Sequence, residues 1–469
     1  MGAVAAVLGR NSEACKLLTQ RMLRALSHRG PESAIAVLHN RSLHGAIGVR
    51  SHQNAKWRFL QSSASTVSVD GSFYQVADKN QARSVCRILS KHRSLSKAAG
   101  RLLRMPGSYS IIFSVNGYLG ALRDTNGLKP LYYGRTRNLT AFASERKALW
   151  SIGFRDVERV LPGHIYSATK KGVAKKCLAR LPPSSETRMT LQQASSRLLR
   201  LLRQSVRRIT EGVDTIGVAF SGGLDSAVTA VLAKDAHRDV QLISVGLPGS
   251  SELSTAEDYA RQVGLPVEFQ PFSSDTLEQY VRRVVWLIEE PNLMKVSVAI
   301  PLHWSATVAS RLRIRVMLCG QGSDELYGGY SRYSRILDSK GRRALVDELY
   351  RSVIESFKVN YERDEQATAP CGVELRTAFA DRDVVQFSLR IPLEFKVRPG
   401  HDLTRKWVLR EAAKRLGLPE NIIWRRKKAI QHGTGVENAI RKLAKKQNLT
   451  AEAYLEKTYA DVRSLTSMP

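Results

Sequence analysis

A hexapeptide in the second half of the chain, Ser221-Gly222-Gly223-Leu224-Asp225-Ser226, carries the residue types best suited to chemistry. Its glycines allow backbone N–H groups to close around an anion, and its hydroxyl groups add hydrogen-bond donors. A helix that begins at Ser226 would add a favourable dipole. No Gly-Lys-Ser/Thr follows, so the segment is not a Walker loop. The pattern predicts a cradle for pyrophosphate, with an ordinary turn as the alternative.

A second segment rich in glycine and acidic residues runs from Gly320 to Tyr330 and begins Gly320-Gln321-Gly322-Ser323-Asp324-Glu325. Asp225 and Asp324 each come just past a run of strand length. Hard cations that bridge phosphates need such oxygen ligands, so we predict that Asp225 and Asp324 share Mg²⁺. The alternative is that the Asp-Glu pair is the solvated start of a helix.

The elements that position these two loops follow a regular alternation. Apolar runs of strand length (216–220, 240–245, 267–269 and 316–319) alternate with helical patterns (226–236, 255–263 and 277–288). This alternation predicts a parallel sheet covered by helices on both faces. Ligands of such sheets bind beyond the carboxyl ends of the strands, where both loops fall.

The two loops and their flanking segments resemble the asparagine synthetases, whose ATP domain is an N-type ATP pyrophosphatase. Such enzymes cleave ATP between the α- and β-phosphates and adenylate a carboxylate. The other matching segments, in family order, are Glu289-Glu290-Pro291, residues 360–364, Gly372-Val373-Glu374-Leu375-Arg376, residues 406–412 and Trp424-Arg425-Arg426-Lys427-Lys428. The resemblance implies that ATP and Mg²⁺ are cofactors and that aspartate or another carboxylate is amidated with ammonia.

The resemblance also implies a role for each matching site residue. ATP would contact Ser221, Gly222, Gly223, Leu224, Asp225, Ser226, Gly320, Gln321, Gly322 and Ser323, with adenine near Val245 and Gly246. Lys427 and Asp324 would act in catalysis, Lys427 by neutralising charge on the phosphates and the tetrahedral intermediate. Arg376 and Arg410 are either anion contacts or structural ion pairs. The family usually carries an acid where Gln321 stands, which puts a proton-accepting role there in doubt.

The first half reads as short strands separated by turns, with few helices. The segments Ser27-His28-Arg29-Gly30-Pro31-Glu32, Asp70-Gly71-Ser72-Phe73-Tyr74 and 127–133 are among those that resemble class II glutamine amidotransferases. The resemblance implies the αββα sandwich of N-terminal nucleophile hydrolases. We therefore predict a glutaminase-like domain at 1–180, a linker at 181–195 and an ATP-pyrophosphatase domain at 196–469.

The glutaminase chemistry of that family is expected to be absent. Its nucleophile is a cysteine at the mature N-terminus, whereas this chain begins Met1-Gly2 and its first cysteine is Cys15, inside the following helix. Asp70 replaces an asparagine that supplies oxyanion donors, and an ionised Asp70 would repel the oxyanion. On the same alignment Ala46 replaces the arginine that grips substrate, and Pro106 replaces an acid beside the pocket.

Charge is the most unusual global feature. Residues 1–210 hold 36 Lys and Arg against 9 Asp and Glu, a balance of +27 out of the +31 of the whole chain. So basic a domain attracts polyanions, of which RNA is the commonest inside cells. Residues 1–210 are therefore expected to bind RNA or a ribonucleoprotein, unless the basic surface serves solubility alone.

The cysteines and the N-terminal residues bear on the compartment. The five cysteines are scattered without Cys-x-x-Cys spacing, which suggests neither disulfides nor zinc and favours a reducing environment. The basic first thirty residues are either a transit helix or the first strand and helix of the domain. The longest uncharged run, 105–122, contains turn residues, so no membrane segment is expected. The expected location is intracellular, mitochondrial or cytoplasmic.

Two hypotheses for function remain from the sequence. One is an active AMP-forming amide ligase that works without glutamine hydrolysis. The other is a pseudoenzyme whose basic half docks on RNA or a ribonucleoprotein, such as an organellar ribosome or its assembly intermediate, while the ATP domain serves as a scaffold.

Overall fold

The structure is a computed structural model that describes residues 2–39, 43–62, 65–74, 76, 80–92, 94–237, 239–400, 402–426 and 429–465. The chain forms two compact units. Unit 1 comprises residues 1–180 with the C-terminal residues from Val462, and unit 2 comprises residues 181–461. Within the described ranges, no helix is both long enough and apolar enough to span a bilayer.

Unit 1 contains two six-stranded antiparallel sheets. Its strands are β1 (Gly2–Gly9), β2 (Glu32–His39), β3 (His44–Ser51), β4 (Phe59–Gln61), β5 (Ser65–Phe73), β6 (Gly107–Val115), β7 (Tyr118–Arg123), β8 (Tyr132–Arg135), β9 (Thr140–Ala143), β10 (Glu158–Arg159), β11 (His164–Thr169) and β12 (Gly172–Cys177). The strand orders are β10-β8-β9-β1-β3-β2 and β12-β11-β7-β6-β5-β4. Its helices are α1 (Ser12–Ala25), α2 (Gln81–Lys91), α3 (Leu95–Leu102) and α4 (Arg146–Trp150).

Strand alternation in unit 1 produces four layers. Val4 and Ala6 of β1 pack with Ile112 of β6 in one buried cluster, so the two sheets face each other. Side chains on the opposite face of β1, such as Val7, pack against α1 and α4. The outer face of the second sheet, including Ile111, is covered by α2 and α3. The predicted αββα sandwich is therefore confirmed.

Unit 2 is built around a five-stranded parallel sheet of order β15-β14-β13-β16-β17. Its elements are α5 (Leu191–Thr210), β13 (Ile216–Ala219), α6 (Leu224–Ala236), β14 (Val240–Gly246), α7 (Ser251–Val263), β15 (Val267–Pro271), α8 (Leu277–Ile288), α9 (Leu293–Arg311), β16 (Val316–Leu318), α10 (Ser323–Tyr327), α11 (Ser331–Ser356), α12 (Glu362–Thr368), β17 (Glu374–Arg376), α13 (Arg382–Ser388), α14 (Trp407–Arg415), α15 (Glu420–Ile423), α16 (Ile430–Gly433), α17 (Val436–Lys446) and α18 (Ala451–Arg463). The predicted parallel sheet is confirmed.

Buried β13 lies at the centre of this sheet and pairs in parallel with β14 and β16. Because parallel strands end at the same edge, the loops after β13 and β16 emerge side by side. The first loop leads into α6 and the second into α10. The fold thus brings together two segments that lie far apart in the sequence.

Candidate functional site

The loop between β13 and α6 is closed by its own serines. Ser226 Oγ accepts from the backbone N–H of Ser221 at 3.3 Å and donates to the Gly223 carbonyl at 3.0 Å. Gly222 has a φ of 65°, a left-handed backbone conformation that residues with a side chain rarely adopt. The glycine therefore permits the tight turn that sets the N-terminus of α6 at the loop.

The two loops touch through Asp225. Ser323 Oγ donates to Asp225 Oδ1 at 2.6 Å, so the helix start of α10 lies against that of α6. A Cβ atom at Gly320 would lie 2.6 Å from the Cβ of Asp225, which explains why this position holds glycine. The sequence prediction that the two segments share one site is consistent with this contact.

Lys406 places an ammonium group between the two aspartates. Its Nζ lies 2.7 Å from both carboxylate oxygens of Asp225 and 2.6 Å from Asp324 Oδ1, and it donates to Ser323 Oγ at 2.8 Å. The Lys406 side chain is buried, and its backbone has a φ of 56°. Sequence analysis assigned no role to this lysine.

The two carboxylates fit a shared cation because both already converge on one positive nitrogen. Lys406 Nζ thus marks a cation-sized position between Asp225 and Asp324. No group of three or more histidine, cysteine or acidic side chains suited to a metal occurs among the described residues. Mg²⁺ commonly uses one or two carboxylates and takes its other oxygens from phosphates and water.

A cavity of about 540 Å³ adjoins both loops. Among the predicted site residues, Ser221, Asp225, Ser226, Val245, Gly320, Gln321 and Asp324 line it. Val245 and Ile243, from the end of β14, supply apolar wall, as an adenine ring would require. Ser323 reaches the site through Asp225. Gly222, Gly246 and Gly322 are not among the described lining residues, and Lys427 lies outside the described residues.

A smaller pocket of about 50 Å³ lies against the same loop and also borders Gly223 and Leu224. Its wall is strongly cationic, with Arg405, Lys406, Arg410, Arg425 and Arg426. One Arg425 nitrogen, Nη1, donates to the carbonyls of Ser221 and Gly222 at 3.3 and 2.9 Å. The loop between β13 and α6 therefore lies between a cavity with apolar wall residues and a cluster of cationic side chains.

Arg376 and Arg410, for which the sequence allowed either an anion contact or a structural ion pair, have different surroundings. Arg376 pairs with Glu374 at 3.0 Å and donates to the Ile209 carbonyl, so its contacts are structural. Arg410 is buried, borders the cationic pocket, and donates to the carbonyls of Thr404, Arg405 and Ile423. Arg410 thus ties the backbone just before Lys406 to the backbone of Ile423.

Buried polar groups line another part of the large cavity. Arg363 Nε donates to Asp364 Oδ1 at 2.7 Å, while Asp364 Oδ2 is buried without a hydrogen-bond partner among the described residues. Glu325 accepts from Tyr330 and Asn360 at 2.5 and 2.8 Å. Burial raises the pKa of Asp364 and Glu325 despite these contacts. This wall offers both a guanidinium group and carboxylate oxygens to a ligand.

Unit 1 holds an ion-pair cluster at the position of the expected glutaminase residues. Arg29 Nη2 lies 3.2 Å from Asp70 Oδ2, and Arg29 Nε donates to the Gly2 carbonyl at 2.8 Å. Glu145 lies 2.9 Å from His28 and 2.5 Å from Lys147. Burial opposes ionisation of Glu145, but these neighbours and Arg29 hold its pKa below the usual range. Cys15, on the buried face of α1, lies separately in the core, and burial raises the pKa of its thiol to about 11.

Comparison with known proteins gives one recurring family. The family model described as asparagine synthase matches residues 197–354 and 337–466. The chain is 35% identical over 369 residues to a putative glutamine-hydrolysing asparagine synthetase 1 of Methanocaldococcus jannaschii, covering 69% of this chain and 68% of that protein. It is 28% identical over 339 residues to a glutamine-hydrolysing asparagine synthetase 2 of Arabidopsis thaliana, and the alignment covers 67% of this chain and 56% of that protein. A glutamine PRPP amidotransferase from B. subtilis aligns over 57% of this chain and 65% of its own, with 17% identity and a TM-score of 0.34.

Proposed function

Because the chain belongs to the asparagine synthetase family, we propose that unit 2 is an ATP-dependent, AMP-forming amide ligase. A carboxylate oxygen of the acceptor bonds to the α-phosphorus of ATP, and the bond to the β-phosphate oxygen breaks, so pyrophosphate leaves with the electron pair. Ammonia then bonds to the acyl carbon, AMP leaves, and the nitrogen loses a proton. One observation carries this proposal: Asp225, Asp324 and Lys406 converge at the edge where the loops after β13 and β16 meet.

In this proposal, acidic residues hold the metal ion and basic residues contact the phosphates. Bound Mg²⁺, held by Asp225 and Asp324, would supply positive charge to the phosphates. The arginines of the small pocket, chiefly Arg425, are positioned to stabilise departing pyrophosphate because fixed charges need no reorganisation during the reaction. Lys427 belongs to the same proposal through the family resemblance.

The acceptor is proposed to be an amino-acid carboxylate such as aspartate. The Arg363 and Asp364 pair supports this choice, because a guanidinium group suits a carboxylate and the unpaired Asp364 oxygen suits an ammonium group. Replacement of Arg363 by Lys should raise the KM for the acceptor at least tenfold and leave the KM for ATP within about twofold. An unchanged acceptor KM would remove Arg363 from this role.

Nitrogen is proposed to come from free ammonia and not from glutamine hydrolysis. Asp70, tied to Arg29, puts a carboxylate where an oxyanion would need donors. Cys15 is buried, and its raised pKa keeps its thiol protonated and unreactive. We therefore expect ammonium chloride to support amide formation and glutamine to fail at equal nitrogen concentration.

The test is pyrophosphate release from ATP and Mg²⁺ with aspartate and ammonium chloride. Asp225→Asn and Asp324→Asn should each lower the rate at least a hundredfold, and Asp156→Asn, at an exposed position of unit 1, should not. Melting curves establish that each variant is folded. Release that persists in Asp225→Asn, or is never detected with the unaltered chain, contradicts the ligase proposal.

A second candidate function is docking of unit 1 on RNA or a ribonucleoprotein, with unit 2 as a scaffold. Residues 1–180, the main part of unit 1, hold 30 Lys and Arg against 8 Asp and Glu, and this balance of +22 supports it. It predicts RNA affinity that is steep in salt and indifferent to Asp225→Asn. Detection of catalysis would remove the pseudoenzyme part of this candidate and leave docking as a separate property.

A further inference from the structure

The segment from Lys79 to Arg123 contains basic residues and no acidic ones. It contains nine cations and no aspartate or glutamate: Lys79, Arg83, Arg87, Lys91, Arg93, Lys97, Arg101, Arg104 and Arg123. Most of these residues belong to α2 and α3, the outer helical layer over β4 to β6. The sequence of this helical layer, residues 79–104, thus carries eight cations and no acidic residue.

Helical register places these cations on the outer face of the layer. On α2, Arg83, Arg87 and Lys91 recur every fourth residue, about 6 Å apart along the axis, and all three are exposed. The opposite face of α2 presents Ala82, Val85 and Leu89 to the core.

The shorter helix α3 repeats the arrangement. Lys97, Arg101 and Arg104, the last just past its end, are exposed, and Ala98 and Leu102 are buried. Each helix is thus strictly two-faced, with cations outward.

None of the six outward cations has an ion-pair partner among the described residues. They are Arg83, Arg87, Lys91, Lys97, Arg101 and Arg104. Elsewhere on unit 1 exposed lysines do pair, as Lys175 does with Glu158 at 3.0 Å. Like charges at this spacing repel one another, which costs stability unless an anionic partner binds. The arrangement therefore favours an external polyanion over an internal structural role.

An exposed aromatic side chain borders the N-terminus of α2. Asn80, which caps α2, donates from Nδ2 to the Lys56 carbonyl at 3.2 Å, and Trp57 follows with 36% of its surface exposed. At the start of α3, Lys176 of β12 donates to Ser96 Oγ at 3.3 Å and extends the basic surface. A cationic track beside an exposed indole is the combination that single-stranded nucleic acids use.

The chemistry of the surface argues against a membrane. Helices that lie on anionic bilayers insert large apolar side chains. Within the described part of the chain, α2 and α3 contribute none of the exposed large hydrophobic residues. Phosphate contacts alone would also suit duplex nucleic acid, but an exposed indole can stack only on an unpaired base.

We propose that the outer face of α2 and α3, with Lys56 and Trp57 at its edge, binds single-stranded RNA. The six cations contact phosphates, and Trp57 stacks on a base. This assignment rests on the RNA-docking candidate for unit 1 and names its surface. It is independent of the ligase proposal, since no residue of the nucleotide site takes part.

The test measures fluorescence anisotropy of a labelled 20-nucleotide single-stranded RNA with the full chain across a salt series. The triple variant Arg83→Gln, Arg87→Gln, Lys91→Gln should weaken binding at least tenfold at low salt and reduce the slope of log K against log salt by about 2. The matched control Arg10→Gln, Arg21→Gln, Arg24→Gln removes three exposed charges from the opposite outer layer and should change binding less than threefold. An equal loss of RNA affinity in the two triple variants would show that binding depends only on the net charge of the chain. That result would overturn the assignment of the RNA site to α2 and α3.

A second pair of variants tests base stacking. Trp57→Ala should weaken single-stranded RNA binding about fivefold or more, and Tyr118→Ala, at another exposed aromatic, should not. Tighter binding to duplex DNA or to anionic phospholipid vesicles than to the single strand would overturn the RNA proposal. Asp225→Asn should bind RNA as the unaltered chain does, so failure of either proposal is distinguishable from failure of the other.

Discussion

Lys406 Nζ lies 2.6 Å from Asp324 Oδ1, and the same ammonium group contacts both carboxylate oxygens of Asp225 at 2.7 Å. All three side chains are largely buried, so each charge depends on the others for stabilisation. The lysine holds two neighbouring carboxylates in alignment before any metal or nucleotide arrives. It acts as a resident cation at the proposed metal position.

The first prediction concerns Lys406→Met. Loss of the ammonium group leaves two buried carboxylates without compensation, which should lower the free energy of unfolding by about 3 kcal/mol in EDTA. Added Mg²⁺ should then raise the melting temperature of the variant more than that of the unaltered chain. Thermal melts with and without Mg²⁺ measure this difference.

Lys442→Met is the control, because Lys442 is exposed on α17. It should melt as the unaltered chain does under both conditions. Equal protection of Lys406→Met and the unaltered chain by Mg²⁺ would contradict the view that lysine and metal compensate the same carboxylates.

Sequence alone located the two loops but not the lysine between them. The hexapeptide and residues 320–330 could be placed at strand ends because glycines and acids follow apolar runs of strand length. Lys406 lies 181 residues beyond Asp225, and it enters the site through a left-handed backbone conformation. No local pattern signals such an approach, since only the tertiary fold brings the residues together.

The fold was predictable where burial produced long, regular patterns. Helix α8 begins and ends at the predicted residues, because its apolar face repeats over twelve residues. Helices α2 and α3 were not predicted, because the first half of the sequence was expected to form short strands with few helices. They are short, with 11 and 8 residues, and are stabilised by packing on the sheet. Helix propensity and hydrophobic periodicity along the sequence do not reveal that packing.

Gly222→Ala is expected to impair the activity proposed for the loop between β13 and α6. A Cβ at this position would lie 3.0 Å from a ring carbon of Tyr259 in a backbone conformation with a φ of 65°. Distortion of the loop should lower ATP-dependent pyrophosphate release at least tenfold, because donors shifted by about 1 Å lose their alignment.

Gly212→Ala provides a control for backbone strain. Gly212 has a φ of 69°, and nothing lies within 4 Å of its added Cβ. This variant should lose about 1 kcal/mol of stability and keep its activity. Similar activity loss in both variants would mean that strain, and not the loop, accounts for the effect.

Asp70→Ala should destabilise unit 1 strongly. It removes the carboxylate 3.2 Å from the buried Arg29 guanidinium, which keeps Glu145, at 3.4 Å, as a carboxylate partner. Removal of one partner from a buried ion-pair cluster should cost about 3 kcal/mol. Chemical denaturation measures the loss. Glu158→Gln, which breaks the exposed pair with Lys175, is the comparison and should cost no more than about 1 kcal/mol. A cost for Asp70→Ala as small as that would show that the cluster does not support the fold.

The acid limit of stability should depend on His303. The imidazole is buried on α9, Nδ1 donates to the Ala367 carbonyl at 2.8 Å, and burial lowers its pKa to about 4. In the unfolded chain the pKa is about 6.5, so between these values the unfolded state binds more protons than the native state. Stability therefore rises with pH across this window, and the contribution of neutral His303 is lost as pH falls from about 6.5 to 4.

His303→Asn retains a donor for the Ala367 carbonyl but has no group that titrates in this window. The difference in unfolding free energy between the unaltered chain and the variant should change by roughly 3 kcal/mol between pH 6.5 and pH 4, to the disadvantage of the unaltered chain at low pH. His432→Asn, at a half-exposed histidine, is the matched control and should change far less. Parallel pH profiles for the unaltered chain and His303→Asn would show that protonation of His303 does not oppose the native packing of α9.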